Sequence, residues 1–213
     1  MAVVDMAQLI RMEKNDENLP YGVVISGVLK RGDSRYVMIR KRHAKDLIEN
    51  AVVATDSYSK TERIKHMYDG ISCVVETDIR KCIEKLDASE CDAVFVLLED
   101  IKAARLHNSF LYRYTIMDYG ECVPVHGAGV YAMLTKGKKE AVRTARELSH
   151  KSTAECFEIE DDIISRVMQN VYVKTCDVYA RISSDRLEIY ADVTGNLSLI
   201  HISEPTRPRL ISY

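Results

Sequence analysis

Apolar runs and helical stripes alternate in the middle of the chain. Ala51–Thr55, Ser72–Val75 and Cys91–Leu98 are short, continuously apolar runs of the kind that form buried strands. Between them, Lys60–Tyr68 and Ile79–Leu86 carry apolar residues at helical spacing. Strands that alternate with short helices predict a mostly parallel sheet with flanking helices. The pattern therefore predicts the α/β fold class.

Ligands of such sheets bind beside the carboxyl ends of the parallel strands. The polar residues that follow the three predicted strands are therefore candidates for a binding site, and they fall at Thr55–Lys60, Glu76–Asp78 and Glu99. Thr77 or Asp78 is also a suitable N-cap for the second helix. The sequence thus predicts one polar edge on the central sheet.

Further strands and helices surround this central unit. The order helix, strand, strand near the end predicts part of a small α+β domain. The predicted strands are Met1–Met6, Tyr21–Leu29, Tyr112–Asp118, Tyr131–Leu134, Val171–Ile182 and Leu187–Val193, and Arg35–Arg40 is either a short strand or a turn of helix. The predicted helices are Ile101–His107, Lys138–Leu148 and Glu158–Met168. Arg11–Asn18 is predicted as a charged surface segment and Ser149–Thr153 as a linker.

Composition then narrows the classes of function. No apolar run approaches the roughly 20 residues needed to cross a bilayer, and the chain does not open with a signal-peptide pattern. The six cysteines form no C-x-x-C pair, which favours reduced cytosolic thiols over a disulfide framework or a zinc site. A formal charge of -2 gives no reason to expect nucleic acid as a partner. We expect a cytoplasmic protein without a metal site.

The end of the chain differs in kind from the rest. Leu197–Arg207 is similar to the in-frame translation of a transposase sequencing adaptor, so residues 197–213 are interpreted as an artefact tail. Without the tail's two Arg and one Glu, 28 of the 30 basic and 31 of the 32 acidic residues remain, a charge near -3. We expect the natural protein to continue past Asn196.

The stretch Val123–Val130 is the most glycine-rich part of the chain. Gly127 and Gly129, two residues apart, could hold an anion with backbone N–H groups. A turn between two strands is the alternative, because the third glycine and the helix of a dinucleotide-binding motif are absent. His126 is interpreted as a loop histidine rather than a base.

Several segments, in order along residues 1–196, resemble the hydroxymethylbilane synthase family, also called porphobilinogen deaminase. Val53-Ala-Thr-Asp-Ser57 stands where the family has V-G-T-S-S, and the segment from Lys85 to Val94 is close to K-L-D-x-G-E-x-D-A-I. The other matching segments are Leu19–Gly22, Val28–Arg35, Pro124–Ala132 and Asp177–Ala180. The resemblance implies a lobe like those of periplasmic binding proteins, followed by part of the α+β domain.

The resemblance also implies a division of the chain into domains. The chain begins near the end of the family's first domain, most of which would lie upstream of Met1. The implied divisions are a remnant of the first domain at 1–22, the second, α/β domain at 23–122, a return segment to the first domain at 123–150, a partial C-terminal domain at 151–196 and the artefact tail at 197–213.

The family joins four porphobilinogen molecules into hydroxymethylbilane on a dipyrromethane cofactor, which one cysteine holds through a thioether. Such a site needs a thiol anchor, an Asp that stabilises cationic intermediates, and Arg side chains that pair with the carboxylates of the substrate. The resemblance implies a monomer that binds a small tetrapyrrole precursor. We expect it to bind neither nucleic acid nor membrane.

The residues of this chain differ from the family at nearly all of these positions. Gln8 replaces the catalytic Asp, and Tyr172 replaces the cofactor cysteine. The family's arginine positions hold Ser59, Lys60, Glu76 and Cys82, whereas the binding positions Thr55, Ser57, Gly127 and Gly129 keep suitable residues. Cys176 lies four residues beyond Tyr172, roughly 13 Å along a strand, and is a weak substitute.

We therefore expect a protein that keeps the family's fold, has lost the catalytic activity and binds no dipyrromethane. The alternatives are an active synthase rewired around Cys176 and Lys60, a gene fragment without function, and a small-carboxylate-binding module. Whether the chain is an enzyme stays open at this point, because fold alone does not carry function.

Overall fold

The computed structural model describes residues 1–44, 50–107, 109–195 and 200–206, with only the backbone described for residues 59 and 200–206. The elements in chain order are β1 (Ala2–Asp5), α1 (Met6–Lys14), β2 (Val24–Val28), β3 (Tyr36–Lys41), β4 (Val52–Thr55), α2 (Tyr58–Met67), β5 (Ser72–Val75), α3 (Ile79–Asp87), β6 (Ala93–Leu97), α4 (Leu98–Ala103), β7 (Tyr112–Ile116), β8 (Tyr131–Thr135), α5 (Lys139–Leu148), α6 (Lys151–Val167), β9 (Val173–Ser183), β10 (Arg186–Gly195) and β11 (Ile200–Thr206). They form two compact units, unit 1 (1–32 and 123–213) and unit 2 (33–122).

Unit 2 contains a five-stranded sheet in the order β5-β4-β6-β3-β7. β4 pairs in parallel with β5 and β6, while β3 pairs antiparallel with β6 and with β7. Four strands therefore run in one direction and β3 runs in the other. The α/β class with a mostly parallel sheet is confirmed.

The two faces of this sheet bury different residues because side chains alternate along each strand. One face carries Ala54 and Val94 and packs against Cys82, Ile83 and Leu86 of α3. Helix α3 begins where the sequence predicts, since the carboxylate of its N-cap Asp78 accepts a hydrogen bond from Arg80 N at 2.9 Å.

The opposite face of the unit 2 sheet carries aromatic and polar residues. The rings of Tyr36 and Phe95 stack with centroids 4.8 Å apart. Thr55 pairs in register with Phe95 and is fully buried. Helix α2 contacts β4, β5 and β6 and contributes the buried Ile64. This face therefore combines an apolar centre with a polar side chain where β4 ends.

Unit 1 contains two three-stranded antiparallel sheets, in the orders β1-β8-β2 and β11-β10-β9. Helix α5 packs on β2 and β8, and α6 packs mainly on β9. A small core joins α1 to the first sheet through Met6, Leu9, Val28, Ala132 and Leu134.

A buried ion pair connects the two sheets of unit 1. Arg31, which follows β2, donates to both carboxylate oxygens of Glu160 in α6, at 2.5 and 2.9 Å. Arg31 Nη1 also donates to Ala180 O, and Ala180 N donates to Glu160 Oε1 at 2.7 Å. The guanidinium lies 4.7 Å from the ring centroid of Tyr179. Three segments distant in sequence therefore meet at one carboxylate.

Two helices begin where the sequence analysis predicts none. Arg11–Asn18 lies on the surface as predicted, but its first residues belong to α1 (Met6–Lys14), which forms because Met6 and Leu9 bury one face and Asp5 caps its start. Ser149–Thr153 was predicted as a linker, but α6 already begins at Lys151. The His150 side chain caps this helix by accepting from Thr153 N at 3.2 Å.

The compact units divide the chain after Gly32 and Cys122. The predicted divisions fall after residues 22, 122, 150 and 196, so one boundary is the same, and the assignment of domains stays a prediction. β2 belongs to unit 1 because it pairs with β8, and α6 and β9 belong there through the Arg31–Glu160 contact. In the tail, the backbone of Ile200–Thr206 pairs with β10, and the rest of residues 197–213 lies outside the described residues.

Candidate functional site

The carboxyl ends of β4, β5 and β6 lie along one edge of the unit 2 sheet. Glu76, the first residue after β5, donates its backbone N–H to Thr55 O at 2.8 Å and so joins two of these ends. The residues that follow the strands carry carboxylates at Asp56, Glu76, Asp78, Glu99 and Asp100. The predicted polar edge is therefore rich in negative charge.

Lys60 is the buried cation of this edge. Its side chain is 7% exposed, and Nζ lies 2.5 and 2.7 Å from the two carboxylate oxygens of Asp56. Asp100, in α4 after β6, places an oxygen 3.8 Å from the same nitrogen. The predicted range Thr55–Lys60 includes both Asp56 and Lys60, but the sequence analysis gave Asp56 no role of its own and did not name Asp100. The i, i+4 spacing of Asp56 and Lys60 was the signal for the first of them.

The other predicted residues of unit 2 lie nearby. Ser57 is the N-cap residue of α2, and the side chain of Ser59 lies outside the described residues. Cys82 Sγ donates to Glu76 O at 3.2 Å, and burial raises the pKa of its thiol to about 12. Cys82 is therefore a buried thiol on the α3 face of the sheet, and a thiol carries no positive charge that could pair with a carboxylate.

Thr55 is a buried polar residue with an unused hydroxyl. Its side chain is fully buried, and within the described residues Oγ1 has no hydrogen-bond partner. The adjacent Ala54 packs against α3, so alternation along β4 places the Thr55 side chain on the α2 face. Lys60 and Thr61 of α2 are the other buried polar residues there. A buried hydroxyl without a partner is costly, which marks this position as unusual.

In unit 1, the glycine-rich stretch forms a tight turn against α1. Gly127 has a φ of +79°, and a Cβ at this position would lie 2.8 Å from Ile10 Cδ1 and 3.0 Å from Ala7 N. Gly129 also has a positive φ, and its carbonyl accepts from Gly32 N at 3.0 Å. Gln8 lies on this helix with an exposed side chain, and its backbone N–H donates to Asp5.

His126, in the same turn, is buried against the C-terminal half of the chain. Its ring stacks on Phe157 of α6 with centroids 4.9 Å apart, and its backbone N–H donates to Asp177 Oδ1. Burial, helped by the positive charges of Lys14 and Arg31, lowers the pKa of His126 to about 4, and Asp161 opposes the shift. A neutral, stacked ring fits the interpretation as a loop histidine.

Tyr172 and Cys176 occupy different environments. Tyr172 precedes β9 and is largely exposed, whereas Cys176 lies within β9, opposite Val193, and is 6% exposed. Burial raises the pKa of the Cys176 thiol to about 11, with contributions from Asp177 and Asp192. A thiol of this kind is a poor nucleophile, because the thiolate is the reactive form.

The comparisons with known proteins define the class of protein. A model of the family "Porphobilinogen deaminase, dipyromethane cofactor binding domain" matches residues 11–144. The chain therefore belongs to the porphobilinogen deaminase family. In the described residues, no helix is both long enough and apolar enough to cross a membrane.

Curated relatives named porphobilinogen deaminase match this chain at low sequence identity. A probable porphobilinogen deaminase from Picrophilus torridus is 23% identical over 84% of this chain and 64% of its own length. The porphobilinogen deaminases of Clostridium acetobutylicum and Chlorobium limicola are 23% and 26% identical over 81% and 91% of this chain, respectively 63% and 62% of theirs. The chain thus spans less than two thirds of the length of these relatives.

Solved structures are similar more distantly. The substrate-binding protein AbpA from Streptococcus pneumoniae, solved with L-arginine, is 16% identical, with a TM-score of 0.42 over 69% of this chain and 61% of that chain. A substrate-binding protein of another amino acid ABC transporter is also 16% identical, with a TM-score of 0.42 over 78% of each chain.

Proposed function

We propose that this chain is a porphobilinogen deaminase-like protein of tetrapyrrole biosynthesis that lacks catalytic turnover and serves as a cytoplasmic binding or regulatory protein. We also propose that it is a monomer that binds neither nucleic acid nor membrane. The single observation that carries the proposal is the charge at the strand ends of unit 2.

The resemblance to the family implies a site in which arginines bind a substrate that carries several carboxylates. Here Glu76 stands at one of those positions, and Lys60 at another is already paired with Asp56 at 2.5 Å. Two like charges 4 Å apart repel by about 4 kcal/mol at an effective dielectric constant near 20. This edge therefore disfavours the carboxylates that the family attracts.

The remaining family positions support the same proposal. Gln8 carries no charge to stabilise a cationic intermediate, and Tyr172 has no thiol to anchor dipyrromethane. The alternative of a rewired active synthase needs Cys176 as the anchor. Its burial and the pKa of about 11 keep this thiol protonated at neutral pH.

Charge restoration tests the role of Glu76. We expect Glu76→Arg to bind porphobilinogen about tenfold or more tightly than the native chain, because the change replaces repulsion by attraction. Isothermal titration calorimetry measures the affinity. The matched control is Glu90→Arg, the same reversal at an exposed carboxylate away from the strand ends. Native binding as tight as that of Glu76→Arg would contradict the proposal.

Turnover and cofactor attachment test the loss of catalysis. We expect the purified chain to leave porphobilinogen unconsumed, and its intact mass to show no dipyrromethane adduct, while the Chlorobium limicola relative serves as the positive control. An adduct on Cys176 would favour the rewired synthase. Unfolding without a cooperative transition would favour a gene fragment, and a thermal shift with simple dicarboxylates would favour a carboxylate-binding module.

A further inference from the structure

Helix α5 carries a basic groove on the surface of unit 1. Residues 136–147 contain five basic and two acidic residues, a local charge of +3 in a chain whose formal charge is -2. The groove has a volume of about 470 Å³ and is lined by Gly137, Lys139, Val142, Arg143, Arg146 and Glu147. The lining residues 139, 142, 143 and 146 are spaced i, i+3, i+4 and i+7, so they share one face of the helix.

A different face of α5 packs on the first sheet of unit 1. Ala145 is fully buried there, and a Cβ at Gly27 of β2 would lie 2.7 Å from Ala145 O, so helix and strand are in direct backbone contact. At the end of the helix, Ser149 Oγ accepts from Val28 N at 3.1 Å, and His150 N donates to Val28 O at 2.9 Å. The groove residues therefore stand on a fixed backbone, which lowers the entropy lost when a ligand binds.

The cations of the groove have few acidic partners. In the described residues, Lys139 and Arg146 form no ion pair, and Arg143 pairs with Glu147 of the next turn, with Nε 2.8 Å from Oε1. The side chains of that pair are 82% and 61% exposed, so the pair contributes little to stability and can be exchanged for a ligand anion. Three positive side chains are thus available on one face.

The size and charge of the groove define a class of ligand. Its volume lies in the range of roughly 300–1,000 Å³ that is typical of small-molecule sites. A guanidinium group pairs with two oxygens of a carboxylate or a phosphate, and a lysine adds a point charge. The stripe from Lys139 to Arg146 spans only about 10 Å along the helix. Glu147 lies just beyond it and would repel a longer anionic chain.

We propose that the α5 groove binds a small polyanion with at least three negative charges, carried by carboxylates or phosphates. Lys139, Arg143 and Arg146 bind its anionic groups, and Glu147 gives up its contact with Arg143 when the ligand binds. The proposed function concerns the strand ends of unit 2. This site lies in unit 1 and goes beyond that proposal.

Calorimetric titration of the full chain with tripolyphosphate and, separately, with citrate tests the site. Low ionic strength is used because exposed charges are least screened there. We expect one ion per chain, and the preferred ion identifies the anionic group. Arg143→Gln and Arg146→Gln are each expected to weaken its binding about tenfold. The melting temperature should not change, because both side chains are exposed.

Helix α6 supplies matched controls in the same unit. Arg166 pairs with Asp162 at 2.9 Å, with side chains 76% and 58% exposed, close to the values for Arg143 and Glu147. Arg166→Gln removes the same charge as Arg143→Gln and is expected to leave the affinity nearly unchanged. Glu147→Gln is expected to tighten binding several-fold, whereas Asp162→Asn, with the same change of net charge, is not.

Two results would overturn the proposal. Either the native chain binds neither ion, or Arg143→Gln and Arg166→Gln weaken binding equally, which would leave α5 a solvated basic surface. An ion whose binding changes in Glu76→Arg but not in Arg143→Gln would lie at the strand ends of unit 2 and would also overturn it. The proposal for unit 1 and the proposed function therefore fail on different variants.

Discussion

In the described part of the chain, a buried ion pair occurs in each unit, and the two pairs are built differently. In unit 1, the planar guanidinium of Arg31 meets both oxygens of Glu160, and the backbone of Ala180 bonds to the same groups. In unit 2, the single ammonium group of Lys60 contacts both oxygens of Asp56, four residues earlier in the chain.

The two ion pairs differ in how far apart their partners lie in the sequence. Arg31 and Glu160 lie 129 residues apart, and their bidentate geometry fixes the relation of β2, α6 and β9. Lys60 and Asp56 lie four residues apart, and Lys60 Nζ also lies 3.8 Å from an oxygen of Asp100 in α4. The buried charge of unit 1 therefore connects segments distant in sequence, while that of unit 2 lies at the carboxyl ends of parallel strands.

The largest expected effect is the loss of the carboxylate in unit 1. Glu160→Ala leaves the 9% exposed Arg31 side chain without its partner, and we expect about 3–5 kcal/mol of destabilisation. Urea unfolding followed by circular dichroism measures it. The matched control is Glu155→Ala in the same helix, whose exposed pair with Lys151 is worth less than about 1 kcal/mol. Equal costs for the two variants would show that the buried Arg31–Glu160 pair contributes no more to stability than the exposed Lys151–Glu155 pair.

His126 gives the next effect, which depends on pH. Its pKa in the folded protein is about 4 because burial disfavours the charged ring, against an ordinary value of 6.5. The unfolded chain therefore binds the proton first, and stability is lost as the pH falls from about 6.5 to about 4. The full loss is about 3 kcal/mol, at roughly 1.4 kcal/mol per pKa unit.

The free energy of unfolding, measured for the native chain and for His126→Phe at pH 7 and pH 4.5, isolates this contribution. Phenylalanine can keep the stacking on Phe157 but does not titrate, so the variant should lose less stability between the two pH values. His66→Phe, at an exposed histidine of unit 2, is the control. An unchanged pH dependence in His126→Phe would show that the ring is not held neutral by the fold of unit 1.

The smallest expected effect lies at the strand-end edge of unit 2. Asp78 caps α3 through Arg80 N at 2.9 Å, so Asp78→Ala should cost about 1 kcal/mol in urea unfolding. Thr77→Ala is the control, because Thr77 was the alternative cap and is exposed. A larger cost for Thr77→Ala would reverse the assignment of the cap. An equal loss of stability in Asp78→Ala and Glu160→Ala would show that the helix cap in unit 2 and the buried ion pair in unit 1 contribute equally to the free energy of unfolding.

Local patterns predicted unit 2 well. The stripe of Cys82, Ile83 and Leu86 and the cap at Asp78 specify α3 because both signals act within a few residues. In unit 1, α1 was missed because its apolar positions, Met6 and Leu9, are few and follow a strand directly. The start of α6 was missed because its cap is His150, a residue type that rarely signals a helix start.

The sequence by itself determined the α/β pattern, the parallel strands and the family, since each depends on residue type and near spacing. The tertiary structure alone decided that Arg31 pairs with Glu160, that the ring of His126 stacks on Phe157, and that the side chain of Thr55 is fully buried. The physical reason is that burial and pairing are properties of segments far apart in sequence. Only the packed chain brings those segments within hydrogen-bond distance and removes the water between them.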